Sequence, residues 1–217
     1  MTPRSGGFSA RGRGLLGLAS VVVACQLGGG FAAAAPVVTR DIRYRDLPGV
    51  AAAAHVLDIH AAERAANDPV LVYVHGGGWR NGDKADVGRK PEFFTGRGWL
   101  FVSVNYRLLP EGRHPANVED VAAALAWVRD HIAEYGGDPR RIVVMGHSAG
   151  AHLAALVATD PRPLEAAGAS LRILAGAIPV DTLAYRIRDP DGEGAPEGHA
   201  LIFGPDPAVR RDASPQE

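Results

Sequence analysis

Arg141-Ile142-Val143-Val144-Met145-Gly146-His147-Ser148-Ala149-Gly150-Ala151 is the stretch that decides the fold. Ile142 to Met145 is a short, largely β-branched apolar run that reads as a buried strand, and Ala151 to Thr159 reads as a helix. Between them the chain must turn sharply. Glycine at 146 and 150 suits strained dihedrals and a close strand–helix approach, and leaves the Ser148 hydroxyl exposed at the tip. Ala149 then offers its N–H at the start of the helix, where unpaired donors and the positive end of the dipole face a developing oxyanion. Ser148 is therefore a candidate nucleophile for acyl transfer, and Ala149 a candidate oxyanion donor.

Working outward, Val70-Leu71-Val72-Tyr73-Val74 is a second buried-strand run, followed by His75-Gly76-Gly77-Gly78-Trp79. The glycines leave backbone N–H groups unobstructed, and Gly77 and Gly78 are the candidate donors for the other half of an oxyanion hole. A G-x-S-x-G pattern alone is a weak signal. Paired with a glycine-rich loop, each after an apolar run and in this order, it is a strong one.

Further motifs accompany the pair: Asn81-Gly82-Asp83-Lys84, Val104-Asn105-Tyr106-Arg107-Leu108 and Tyr135-Gly136-Gly137-Asp138-Pro139. From about residue 40 onward the chain resembles the α/β-hydrolase superfamily, and within it the carboxylesterase group of hormone-sensitive-lipase-like and kynurenine-formamidase-like enzymes. The resemblance implies an α/β fold, a mostly parallel sheet with helices on both faces. It also implies a serine hydrolase that cleaves carboxylic esters of small molecules through an acyl-enzyme on Ser148, with no metal and no organic cofactor.

Enzymes of this group carry their triad in the order Ser, then Asp or Glu, then His, on loops after later strands. The resemblance sets Phe203 to Pro207 and Ala213 to Pro215 before the acid-bearing strand, so residues 40–217 read as an incomplete domain lacking the last strands, with impaired activity. Two substitutes for the base lie within the chain: His152, one helical turn after Ser148, and His199, with Asp181 or Asp206 as its orienter. Against both stands the reading of these histidines as surface or lid residues. A non-catalytic, envelope-associated binding protein that keeps the fold is the alternative function.

The 217 residues carry 23 basic and 24 acidic side chains and 47% hydrophobic content, enough for one sizeable core. All the acidic residues follow residue 40. Clustered basic residues of the kind nucleic acid demands are absent. Arg4, Arg11 and Arg13, then Leu15 to Ala24, then the small residues Ala32 to Ala35, form the basic, apolar and cleavage regions of a signal peptide over residues 1–35. The expected location is secreted or periplasmic. A membrane span is disfavoured because Gln26 and Gly28-Gly29-Gly30 interrupt the apolar run. Val22-Val23-Ala24-Cys25 also resembles a lipobox, which would make Cys25 a lipid anchor. Cys25 is the only cysteine, so no internal disulfide is expected, and no CxxC or HExxH suggests a metal site.

Asp41 to Tyr44, His55 to Ile59 and Trp99 to Tyr106 read as strands, with Pro48-Gly49 as a turn. Lys84 to Phe94 reads as a helix interrupted near Pro91. Val118, Val121, Leu125, Val128 and Ile132 recur at helical spacing, with Asn117 as N-cap and Gly136-Gly137 as the stop. Leu171 to Val180 reads as the next strand, exposed along one edge and prone to aggregation unless covered. Asn105-Tyr106-Arg107 is expected to support the glycine loop. Trp79 is expected to line the acyl or alcohol pocket or to anchor the loop, Asp83 and Lys84 to form a local surface or loop-fixing interaction, and residues 186–199 to form a mobile loop or lid.

Overall fold

The structure is a computed structural model and describes Met1 and residues 35–182, 184–187 and 199–215. The expected signal peptide, the Cys25 anchor and most of the expected lid fall outside the described residues.

Six strands form one sheet: β1 (Val37–Arg43), β2 (Val56–Ala61), β3 (Asp68–Val74), β4 (Leu100–Val104), β5 (Gly137–His147) and β6 (Leu174–Val180). Their order is β1-β2-β4-β3-β5-β6. The first two pairings are antiparallel, whereas β4, β3, β5 and β6 run parallel, with Val72 opposite Val102 on one side and Val144 on the other. This is the mostly parallel α/β sheet expected from the sequence. Parallel neighbours require crossovers, supplied by α1 (Lys90–Thr95), α2 (Ala116–His131), α3 (Ala149–Thr159) and α4 (Arg162–Ala166). Two further helices, α5 (His199–Phe203) and α6 (Pro207–Asp212), lie in the C-terminal segment.

Alternation along the strands divides the core into two layers. Val70, Val72 and Val74 join Val102, Val104, Ile142 and Val144 in the larger one, with Val121, Leu125 and Val128 of α2 and Leu153 and Val157 of α3. Leu71, Tyr73 and Phe101 face the other way, against Phe94 of α1 and Trp99. Because β3 and β4 are covered on both faces, they read as continuous apolar runs rather than alternating ones.

Local chemistry changed three expected boundaries. Pro91 does not interrupt a helix beginning at Lys84: α1 starts only at Lys90 and Pro91 occupies its first turn, where a missing N–H costs nothing. Asn117 is not the N-cap of α2. Pro115 holds that position, while Asn117 is buried inside the helix with its Oδ1 accepting from the Val118 N–H at 2.8 Å. Residues 171–173 form a 3-10 turn, which shortens the run that had read as a strand from Leu171.

Among the described residues β6 is paired only to β5, so its other side is an open edge, with Ile178 44% exposed. An apolar edge templates intermolecular pairing. Ile178→Lys is expected to reduce self-association of the chain in sedimentation velocity while leaving its circular dichroism unchanged; equal association of both proteins would show that the edge is not what pairs.

Candidate functional site

β3 and β5 are neighbours, so the loops after them emerge side by side at the same end of the sheet, the position favoured for ligands in parallel sheets. One loop is His75 to Trp79 and the other contains Ser148. The structure thereby brings together the four residues singled out in the sequence: Gly77, Gly78, Ser148 and Ala149.

Ser148 adopts φ 53° and ψ −117°, a left-handed conformation for a side chain that rarely takes one. Such strain costs on the order of 1–3 kcal/mol and persists only where the surroundings impose it. Here they do. Ser148 N donates to Val180 O at 2.9 Å, and its carbonyl accepts from Ala151 N and His152 N at 3.0 and 3.2 Å. The flanking glycines are required by contact: a Cβ on Gly146 would lie 2.1 Å from Gly150 O, and one on Gly150 would lie 2.2 Å from Val74 O. Ala149 is the first residue of α3, so its N–H has no acceptor within the helix.

The glycine loop is equally constrained. Gly77 has φ 114°, and its carbonyl accepts from both Arg80 N and Asn81 N at 3.1 Å. A side chain there would strike Asn81 O, whereas Gly78, at φ 61°, faces open space. Gly77 and Gly78 are both exposed, leaving their amides reachable beside the half-buried Ser148. His75 is not at the surface. It stacks on Tyr106 at 4.5 Å, its Nδ1 lies 2.8 Å from the Gly76 carbonyl, and burial lowers its pKa so that it stays neutral. Tyr106 O–H in turn donates to His75 O at 3.0 Å, and burial pushes that phenol above its ordinary range.

Asn105-Tyr106-Arg107 does support the loop, as expected, and its connections run deep. Asn105 Nδ2 donates to Ala53 O at 2.9 Å and to Asp83 Oδ2 at 3.0 Å, while its Oδ1 accepts from Lys84 N. Arg107 donates through Nε to Asp120 Oδ2 at 2.7 Å and through Nη2 to Asp120 Oδ1 at 2.8 Å. Of the two roles expected of Asp83 and Lys84, the loop-fixing one is found, through Asn105 and the Ala85 N–H, rather than a surface pair. Lys84 is buried and its ammonium bridges Asp58 at 2.7 Å and Asp41 at 2.9 Å, hydrogen bonds that outweigh desolvation and raise its pKa. Asp58 and Asp120, both about fully buried, are the residues the sequence did not single out.

Trp79 anchors the loop rather than lining an open pocket. It is 6% exposed, with its ring against His152, His199 and Phe203. The two histidines weighed as substitute bases are therefore elsewhere. His152 is fully buried and its Nε2 donates to Ala213 O at 2.8 Å. His199 is 5% exposed against Trp79 and Phe203, and Asp206, one proposed orienter, caps α6 by accepting from Ala208 N at 2.8 Å. Asp181, the other, lies 3.8 Å from His147 Nε2. Among the described residues no imidazole is hydrogen-bonded to the Ser148 hydroxyl. Nor do those residues contain a cluster of His, Cys, Asp and Glu able to hold a metal ion, and no helix among them is long and apolar enough to cross a membrane.

The BD-FAE family matches residues 57–170, the stretch from β2 through α4 that holds both loops. Esterase LipQ of Mycobacterium tuberculosis is 48% identical over 91 residues, which is 42% of this chain and 22% of that protein. Carboxylesterase NlhH of the same organism is 48% identical over 94 residues, 42% of this chain and 29% of that protein. The match thus spans less than a third of either relative. Among solved structures, the apo form of esterase 2 from Thermogutta terrifontis aligns with TM-score 0.61 and 28% identity over 84% of this chain and 66% of that one. Esterase B from Lactobacillus rhamnosis aligns with TM-score 0.62 and 22% identity over 84% of this chain and 62% of that one, a likeness of fold.

Proposed function

From the membership of this chain in the BD-FAE family, within the α/β-hydrolase carboxylesterases, we propose that it supplies the nucleophile and oxyanion half of a site that cleaves carboxylic esters of small molecules. The observation that carries this is the Ser148 backbone, held at φ 53° beside the exposed glycine loop. Ser148 Oγ attacks the ester carbonyl. The developing oxyanion accepts hydrogen bonds from Ala149 N–H and from Gly77 and Gly78 N–H, the alcohol leaves, and water releases the acyl group. Being backbone donors, these groups need no reorganisation as charge develops. We further propose that the protein works outside the cytoplasm, delivered by the leader over residues 1–35.

Because no imidazole among the described residues is hydrogen-bonded to the Ser148 hydroxyl, we propose that acylation and deacylation go without a positioned base and that turnover is slow. A positioned base contributes typically ~10²–10⁴-fold. The acyl-enzyme is the informative species. Incubation with p-nitrophenyl acetate at mildly alkaline pH is expected to place an acetyl group on Ser148, found by peptide mass spectrometry and persisting because deacylation is also unassisted. Ser148→Ala should abolish that adduct. A folded chain acetylated only on lysines would instead favour a non-catalytic binding protein that retains the fold.

A further inference from the structure

Segment 199–215 is fastened behind the glycine loop by a cluster the proposed chemistry does not use. Phe203 sits at its centre, with ring centroids 5.4 Å from Trp79, 5.4 Å from His152, 5.6 Å from His199 and 6.2 Å from His114. Trp79 also meets His152 at 5.5 Å and His199 at 5.7 Å. All of these side chains are buried. Buried ring nitrogens ordinarily find partners, yet Nδ1 of His114, His152 and His199 and Nε1 of Trp79 have none among the described residues. Three imidazoles thus converge on one aromatic ring, and for His152 and His199 burial disfavours the charged form.

We propose that this cluster is a proton-operated latch, in which protonation of His152 and His199 expels Phe203, releases segment 199–215, and so frees Trp79 and the glycine loop that it anchors.

The charged and titratable groups facing the cluster favour release. His152, on α3, faces His114 and His199, and the Ala213 carbonyl that accepts from its Nε2; among the described residues a second proton on its ring would meet no carboxylate. His199, on α5, faces Trp79 and Phe203. Among the described residues His114, in the loop before α2, is the one of the three that contacts an acid, Asp212 of α6 at 2.9 Å, which also pairs with Arg162 of α4 at 2.7 Å. Arg210 of α6 is buried, its Nε donating to Gly204 O at 2.9 Å. Asp212 is 38% exposed and its contact with Arg162 lies outside the aromatic cluster, which leaves His152 and His199 as the trigger.

Burial holds His152 down at about 4, with the Ala213 carbonyl opposing, and burial also lowers His199. A base with a lower pKa in the closed state than in the released one takes up a proton on release. The latch is therefore at full strength above the ordinary histidine value of about 6.5 and weakens as pH falls toward 4. For His152 alone the limiting effect is roughly 300-fold in the closed-to-open equilibrium.

The test is amide hydrogen exchange by mass spectrometry on the 217-residue chain, corrected for intrinsic rates, between about pH 7 and about pH 4.5. Peptides over 199–215 and 76–82 are expected to lose protection together, by tenfold or more, while β3 and β5 stay protected. Phe203→Ala is expected to open both segments already at neutral pH, and His199→Phe to move the opening to lower pH. Unchanged protection, opening of 199–215 without the glycine loop, exchange of the whole sheet at the same pH, or an unshifted midpoint in His199→Phe would each overturn the latch. Its bearing on catalysis rests on the oxyanion reading, but the exchange pattern does not. Failure of the latch shows in deuterium uptake, and failure of the oxyanion reading shows in the Ser148 adduct.

Discussion

Gly150→Ala is expected to lower the melting temperature by roughly 6–12 °C, the equivalent of about 3 kcal/mol for a domain of this size. The added Cβ would lie 2.2 Å from Val74 O and 2.4 Å from His75 O. Those atoms are backbone, at the end of a strand buried on both faces and the start of the loop after it, so neither can swing aside as a side chain would. Relief requires α3 to move away from β3, which carries Ser148 and Ala149 away from Gly77 and Gly78. Acetylation of Ser148 should therefore fall along with the melt. Gly176→Ala is the control, since a Cβ there meets nothing within 4 Å. Equal melting of the two variants, followed by circular dichroism, would mean that strand and helix are not in the tight contact described.

Asp120→Ala is expected to cost about 3–5 kcal/mol, measured by the denaturant midpoint at constant slope. Its carboxylate is fully buried and accepts from Arg45 Nη1 at 2.8 Å and from Arg107 through N, Nε and Nη2 at 3.0, 2.7 and 2.8 Å. His55 Nε2 is also within 3.0 Å of it. Truncation takes the buried counter-charge from Arg45 and Arg107 and leaves Arg107 with the half-exposed Glu119, 3.6 Å from its Nη2, which is the costly half of breaking a buried pair. Because Arg107 follows Tyr106, whose hydroxyl holds His75 O, the loss should also loosen the glycine loop and slow labelling of Ser148. A variant as stable as the parent would mean that water already screens the cluster.

The strands, the helix after the elbow and the two loops were legible in the sequence because each is dictated locally. Apolar runs mark β3 to β5, and Gly146 and Gly150 are where contact forbids a Cβ. What could not be read depended on residues far apart in the chain. Asp120 sits in the helix beside the apolar stripe, and nothing in its neighbourhood reveals that Arg45, 75 residues earlier, meets it. His152 had the spacing of a residue near Ser148, but its burial is decided by Phe203 and Ala213, which arrive from the other end of the chain. Lys84 read as a surface charge because Asp41 and Asp58 come to it from other strands. Pro91 misled for a different reason: its meaning reverses between the interior and the first turn of a helix.

The hydrogen bond from Ser148 N to Val180 O ties the reactive turn to the last residue of the edge strand β6. Edge strands are where a sheet opens first, at free energies below that of global unfolding. The strained serine thus draws part of its constraint from an edge strand rather than from the buried centre at β3. Reactivity and foldedness are consequently separable: a chain whose β6 frays retains its sheet, its core and its spectrum, while the serine relaxes out of the conformation that exposes it to an acyl donor.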